Sequence, residues 1–204
     1  MKKKFAVLPL LFLLLLLTGC RGISWKNPKM LELDHRVYSR ADYAAAYQYG
    51  RFLALQEPGQ LSEEELLADE KLRGDYLRIL EEAALDQLRI RTVVERECEK
   101  EKLRPALSQK ELLAQYREKA GEEAAYRDAL RRIGLAEDDF GSVLLLSEKT
   151  RALCDFFVEN GRAADEEDFS AQLRQQMDEL SVEFFIDPSA VDPEQVSLYL
   201  RTDG

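Results

Sequence analysis

A mainly α fold of several helices, with a small β-hairpin and strand pairing near the N- and C-terminal ends, is what this 204-residue sequence predicts. Three observations carry the prediction. Charged residues make up 33% of the chain against only ten glycines, a balance that favours helices with solvated faces over sheets. Apolar residues recur at spacings of three and four along much of the chain, the period of a helix with one buried face. Ser39, Ser62 and Ser108 each precede an acidic residue by three positions, the spacing at which a serine and a carboxylate cap a helix start reciprocally.

The first residues read as a targeting segment. Lys2, Lys3 and Lys4 precede an apolar run from Phe5 to Leu17 that is too short to span a bilayer, which takes about 20 residues. The run ends in Leu17-Thr18-Gly19-Cys20, which resembles a bacterial lipobox. That resemblance implies a signal peptide over residues 1–19, a diacylglyceryl group on the Cys20 sulfur, and a membrane-anchored lipoprotein on the extracytoplasmic side of the cell envelope. Two acyl chains give stable attachment, since each buried methylene contributes about 0.8 kcal/mol. Loss of the three lysines takes the formal charge from −10 to −13. Such a charge argues against binding nucleic acid, which needs a basic face for the phosphates. Residues 20–29, with Gly22, Asn27 and Pro28, read as a tether.

The folded region is expected over residues 30–187. Met30 to Tyr38 reads as strand, turn and strand, with Asp34-His35 at the turn because both residue types tolerate positive φ. A helix follows from Ser39, carrying Tyr43, Tyr47, Phe52, Leu53 and Leu55, to a stop at Pro58-Gly59. Ser62 and Glu65 open a long helical region, kinked at Gly74 and reaching Arg104. Its apolar side holds Leu77, Leu80, Ala84 and Leu88, with Ile90, Val94 and Cys98 one stripe over. The charged run Glu95 to Lys102 reads as a solvated face. Beyond Pro105, Ser108 caps a shorter helix to about Gly121. From Tyr126 to Phe157 the pattern is two helices meeting at a Gly134-Leu135 corner, the second beginning near Ala136 and stopping at Asn160-Gly161. Asp165 and Asp168 open an amphipathic helix with Phe169, Leu173, Met177 and Leu180. Val182, Phe184 and Ile186 then alternate as a strand whose expected partner is the N-terminal hairpin. Residues 188–204 are left as a tail.

This order of elements resembles the N-terminal chaperone region of SurA and PrsA type extracytoplasmic foldases. The residues carrying the likeness are Ala84-Leu85-Asp86-Gln87-Leu88 in the long helix, Leu103 to Glu111, and above all Ala129-Leu130 through the Gly-Leu corner to Phe140. The likeness spans Met30 to Ile186. The chain departs from the pattern at Arg104-Pro105 in place of a glycine turn, at Ala136 in place of a serine or threonine cap, and at His35 in place of a hairpin glycine. The resemblance implies a module that holds unfolded or partly folded exported polypeptides in an apolar cradle between helices. A prolyl isomerase domain of the parvulin type needs on the order of 100 residues, and the chain has too few after Asn160, so isomerase activity is not expected.

No phosphate loop, HExxH, CxxC or GxSxG pattern is present, and no carboxylate pair stands out, so no catalytic residue, metal or cofactor is expected. His35 is the sole histidine and reads as a turn residue. Cys98 and Cys154 could form a disulfide or remain free thiols on separate helices. Tyr43 and Tyr47 read as packing residues or as peptide contacts. Leu135, Phe140, Leu144 and Phe157 read as core, and a client surface is expected beside their corner. The rival to a holdase is a structural or partner-specific accessory lipoprotein of an envelope or secretion complex.

Overall fold

The computed structural model describes residues 27–56 and 61–191. The expectations for the signal peptide, Cys20, the Pro58-Gly59 stop and the last residues from Asp192 onward lie outside them. Seven α-helices and a three-stranded antiparallel sheet are formed by the described residues. Strands β1 (Lys29–Leu33) and β2 (Arg36–Ser39) make the hairpin, with Asp34 at φ 44° and His35 at φ 69° turning the chain. Two consecutive positive φ values are what a two-residue hairpin turn of type I′ requires. Strand β3 (Val182–Phe184) pairs with β1, placing Leu31 opposite Phe184 and Leu33 opposite Val182. The two ends of the fold therefore close on one sheet of order β2-β1-β3.

Helix α1 (Arg40–Ala54) starts at Ser39, whose hydroxyl accepts from the Asp42 N–H while the Asp42 carboxylate accepts from the Ser39 N–H. The same reciprocal cap opens α2 (Glu63–Ala68) at Ser62 and Glu65, and α4 (Gln109–Ala120) at Ser108 and Glu111. The long helix α3 (Glu70–Glu101) has 32 residues, a length of about 48 Å at 1.5 Å per residue. The break before it falls at Asp69, not at the expected Gly74, which stays helical. Asp69 takes the extended conformation and its carboxylate accepts from the N–H groups of Lys71 and Leu72, so a side chain competing for helix donors sets the boundary. At the other end Lys102 adopts the left-handed conformation just before Arg104-Pro105.

Helix α3 is the spine on which two halves are built. Its N-terminal half packs with α1, α2 and the sheet around Leu31, Leu33, Tyr43, Tyr47, Leu80 and Ala84, all fully buried or nearly so. Its C-terminal half packs with α6 (Glu137–Glu159) and α7 (Glu166–Asp178) around Val94, Cys98, Leu153, Phe157 and Phe169. Helix α5 (Glu123–Ile133) reaches α6 through the corner at Gly134, φ 75°, where Ile133, Leu135 and Phe140 make a third cluster with Leu113, Tyr116 and Leu130. Ala136 stands at the start of α6 without a side-chain cap, as its alanine predicts.

Three boundaries move outward or change meaning. Asn27 and Pro28, read as the end of a tether, are fastened to α1: the Asn27 amide oxygen accepts from Ala41 N–H and the Pro28 carbonyl from Arg40 N–H. The folded region also extends past the expected end at residue 187, through a short 3-10 turn at Pro188–Ala190 to Val191, which is buried with the sheet. Within the charged run, Glu97 is buried and Glu95 is half-buried among Arg36, Arg91 and Lys149, so part of that face joins helices instead of facing solvent.

Candidate apolar groove

Helices α1 and α6 each lie on α3 and pack on one another less than either packs on it. The corner between α5 and α6 spans them instead, and a groove with a cavity volume of about 580 Å³ is left open below it. One wall is Tyr49 and Leu53 of α1. The floor is Gln87 and Ile90 of α3, and the facing wall is Val143, Leu146 and Thr150 of α6. Phe169 and Ser170 of α7 close one end, beside Cys154, Asp155 and Glu166. A tighter recess of about 50 Å³ continues from the other end, sharing Tyr49, Gln87, Val143 and Leu146 and reaching Ala45 and Arg91.

Local sequence explains why this surface is apolar without being core. Tyr43 and Tyr47 are four residues apart and occupy the buried face of α1, whereas Tyr49 and Leu53 form a second stripe, also four apart, about 120° away round the helix. Tyr49 and Phe52 pack under the Gly134 corner, while Leu53 remains 43% exposed. On α6 the i, i+3 pair Val143 and Leu146 stands across from them, half-buried. The groove is thus lined by residues whose stripe begins in a core and runs out into solvent.

No family model matches the chain, and neither the curated proteins nor the solved structures gave a match. The reading of the groove therefore rests on its geometry and on the sequence.

The groove offers contact and charge, and its titratable groups are set by burial and by neighbouring carboxylates. Burial pushes the Tyr49 phenol up from its ordinary range, so it stays neutral. The Cys154 thiol is raised by burial and then by the neighbouring Glu166 and Asp155 carboxylates, the opposite of what activates a thiolate nucleophile. Cys98 is raised chiefly by burial and donates to the Lys149 carbonyl at 3.9 Å. The two thiols share an apolar cluster and are free. His35, at the hairpin tip, faces solvent. Among the described residues no group of three or more His, Cys, Asp and Glu is arranged to hold a metal ion, and no helix is long and apolar enough to cross a membrane.

The structure redistributes the residues proposed as client contacts. Tyr43 and Tyr47 have no exposed surface and lie in the cluster against α3 and the sheet. Leu135, Phe140 and Phe157 are likewise interior, at 6%, 5% and 3% exposure, so these five cannot contact a client in this conformation. Tyr43, Tyr47, Phe140 and Phe157 lie on helix stripes that face α3 or the corner cluster, and Leu135, in the turn after Gly134, is packed inside that cluster. Leu144 is half-buried and packs on that cluster. The groove instead uses Tyr49, Gln87, Leu146, Asp155 and Glu166, which sequence reading did not single out. The signal for Tyr49 was its spacing to Phe52 and Leu53. For Asp155 and Glu166 the sequence carries none, because they meet only when α7 folds back on α6.

Proposed function

We propose that the protein is a lipid-anchored extracytoplasmic holdase of SurA and PrsA type, which binds unfolded or partly folded exported polypeptides and does not isomerise proline. The observation supporting this reading is the open groove between α1, α3, α6 and α7, whose apolar side chains Tyr49, Leu53, Ile90, Val143 and Leu146 are interleaved with polar ones such as Gln87, Ser147, Thr150 and Arg151. Its volume lies within the range of about 300–1,000 Å³ typical of ligand clefts, and it is open to solvent, as a site for a peptide segment must be. Exposed apolar side chains of a client segment would replace water against Tyr49, Leu53, Ile90, Val143 and Leu146, and about 25 cal/mol is gained per Å² of apolar surface removed from water. Binding of that kind is tolerant of sequence and needs no nucleotide. Attachment through Cys20 would keep the groove close to the membrane from which exported chains emerge.

The test is aggregation of an unrelated denatured protein, followed by light scattering, in the presence of the full chain carried in lipid nanodiscs. The expected result is slower aggregation without ATP, relative to empty nanodiscs. An inert protein at molar excess overturns the holdase reading. Capture of one stoichiometric partner from native envelopes, with no effect on aggregation, would favour the accessory lipoprotein instead. A parallel prolyl isomerisation assay is expected to show no rate enhancement.

A further inference from the structure

The end of the groove formed by α6 and α7 differs in charge from the rest. Asp155 and Glu166 line it, and a second recess of about 240 Å³ shares both of them with Cys154 and adds Glu159 and Asp165. Among the described residues Asp155, Glu159 and Glu166 make no ion pair. Arg151, the cation at this end, is held by both oxygens of Glu148, at 2.7 and 2.8 Å. Arg162 donates to Glu101 at 2.7 Å and lies over the Phe157 ring.

Helix electrostatics separates these carboxylates into two kinds. Glu166 belongs to the first turn of α7, where negative charge is favoured by the N-terminal end of the helix dipole. Asp155 and Glu159 lie at the opposite kind of site, near the C-terminus of α6, whose last turn contains no basic residue. There the dipole is negative as well, so both carboxylates are placed against it. Val158, 36% exposed, stands between them. Arg151, already paired with Glu148, also feels Asp155, whereas Glu159 and Glu166 have no ion pair among the described residues, and the groove leads directly to this end.

We propose that the groove selects apolar client segments ending in lysine or arginine, the apolar run lying along Leu53, Ile90 and Leu146 and the basic end meeting Asp155, Glu159 and Glu166. This rests on the client-holding reading and names the class of segment held. A cation at this position is favoured by the dipole at the α6 C-terminus, as a lysine or arginine of the helix itself would be. It also fits a chain of formal charge −10, which attracts cationic segments at long range.

The experiment uses the full chain in nanodiscs and three synthetic peptides sharing one alternating Leu-Ser run, ending in two lysines, two glutamines or two glutamates. Binding is read by fluorescence anisotropy and by protection of Cys154 from maleimide, with buried Cys98 as internal reference. The lysine peptide is expected to bind roughly fivefold tighter than the glutamine peptide, the scale of one exposed charge contact, with the glutamate peptide weakest. Added salt should erase the difference. The triple variant D155N, E159Q and E166Q should bind all three alike while holding the glutamine peptide as before. Equal affinities in the native protein, or a lysine preference that survives the substitutions, overturn the selection and leave client holding intact. Absence of both peptide binding and Cys154 protection overturns the groove reading itself. Protection of Cys154 that rises with protein concentration alone assigns the groove to a second copy of the chain, and also overturns the proposal.

Discussion

The side-chain amide of Gln48 donates to the backbone carbonyl of Ile133 at 2.9 Å, so α1 closes the end of α5 at the residue before the Gly134 corner. Gln48 and Ile133 are both buried, and a helix-terminal carbonyl in that position has no water to turn to. The contact fixes the corner to α1 and thereby sets the gap across which Tyr49 and Val143 face each other. Gln48→Ala leaves the carbonyl without this donor and is expected to lower stability by about 1–3 kcal/mol, measured by urea unfolding.

Gly134→Ala tests the same joint from the other side. Its φ of 75° suits glycine, and a methyl built there collides with the Gln48 side chain. The backbone alone should cost about 1–2 kcal/mol. Because the collision needs Gln48, the double variant with Gln48→Ala is expected to be less destabilised than the sum of the single variants. Strict additivity in a double-mutant cycle would show that the two residues do not share this space.

Much of this architecture could be read from residues close in sequence, and the parts that could not depend on distant ones. The three serine caps, the Asp34-His35 turn and the Gly134 corner follow from local backbone chemistry and were legible. The pairing of β3 with β1 was legible too, since an alternating Val182-Phe184 pattern had only the N-terminal hairpin left to join. The break at Asp69 was not, because whether a glycine or a capping aspartate interrupts a helix depends on which backbone donors are already satisfied. Nor was the groove, whose walls come from four helices and whose lining differs from core only in what fails to cover it.

Acid should loosen the closure between β3 and the hairpin. The Ser181 N–H and then the Ser181 hydroxyl, both donating at 2.9 Å, hold the Asp34 carboxyl below its ordinary range, and Arg96 adds to this. A carboxyl depressed in the folded state contributes stability above its unfolded pKa of about 3.9, and that contribution is lost as pH falls through the lower, folded value. Asp34→Asn should therefore be less stable near neutrality and show a shallower decline in stability below about pH 4. Equal slopes in denaturant titrations of the two proteins would exclude Asp34 as a source of the acid response.

Glu95 joins β2, α3 and α6 by pairing with Arg36, Arg91 at 3.5 Å and Lys149 at 3.4 Å. Its side chain is 14% exposed, so the pairs are shielded more than surface ones are. Glu95→Ala leaves three cations facing one another and is expected to cost about 2–3 kcal/mol. The check is urea unfolding, in which a loss well under that would mean the cations find other partners.

Variants of α1 should separate holding from folding. Tyr43→Phe removes a buried hydroxyl that makes no hydrogen bond among the described residues, so stability should be unchanged or rise by up to about 1 kcal/mol. Aggregation suppression should be unaffected, because Tyr43 has no exposed surface. Leu53→Asp places a charge on the groove wall at a residue already 43% exposed, and stability should change by no more than about 0.5–1 kcal/mol. Its effect on an apolar client is larger, since a carboxylate must be desolvated or left facing the client's side chains. Suppression of aggregation should fall sharply in Leu53→Asp and persist in Tyr43→Phe. The reverse pattern would place client contact on the tyrosine stripe, which requires α1 to lift from α3 and expose a face that is core in this conformation.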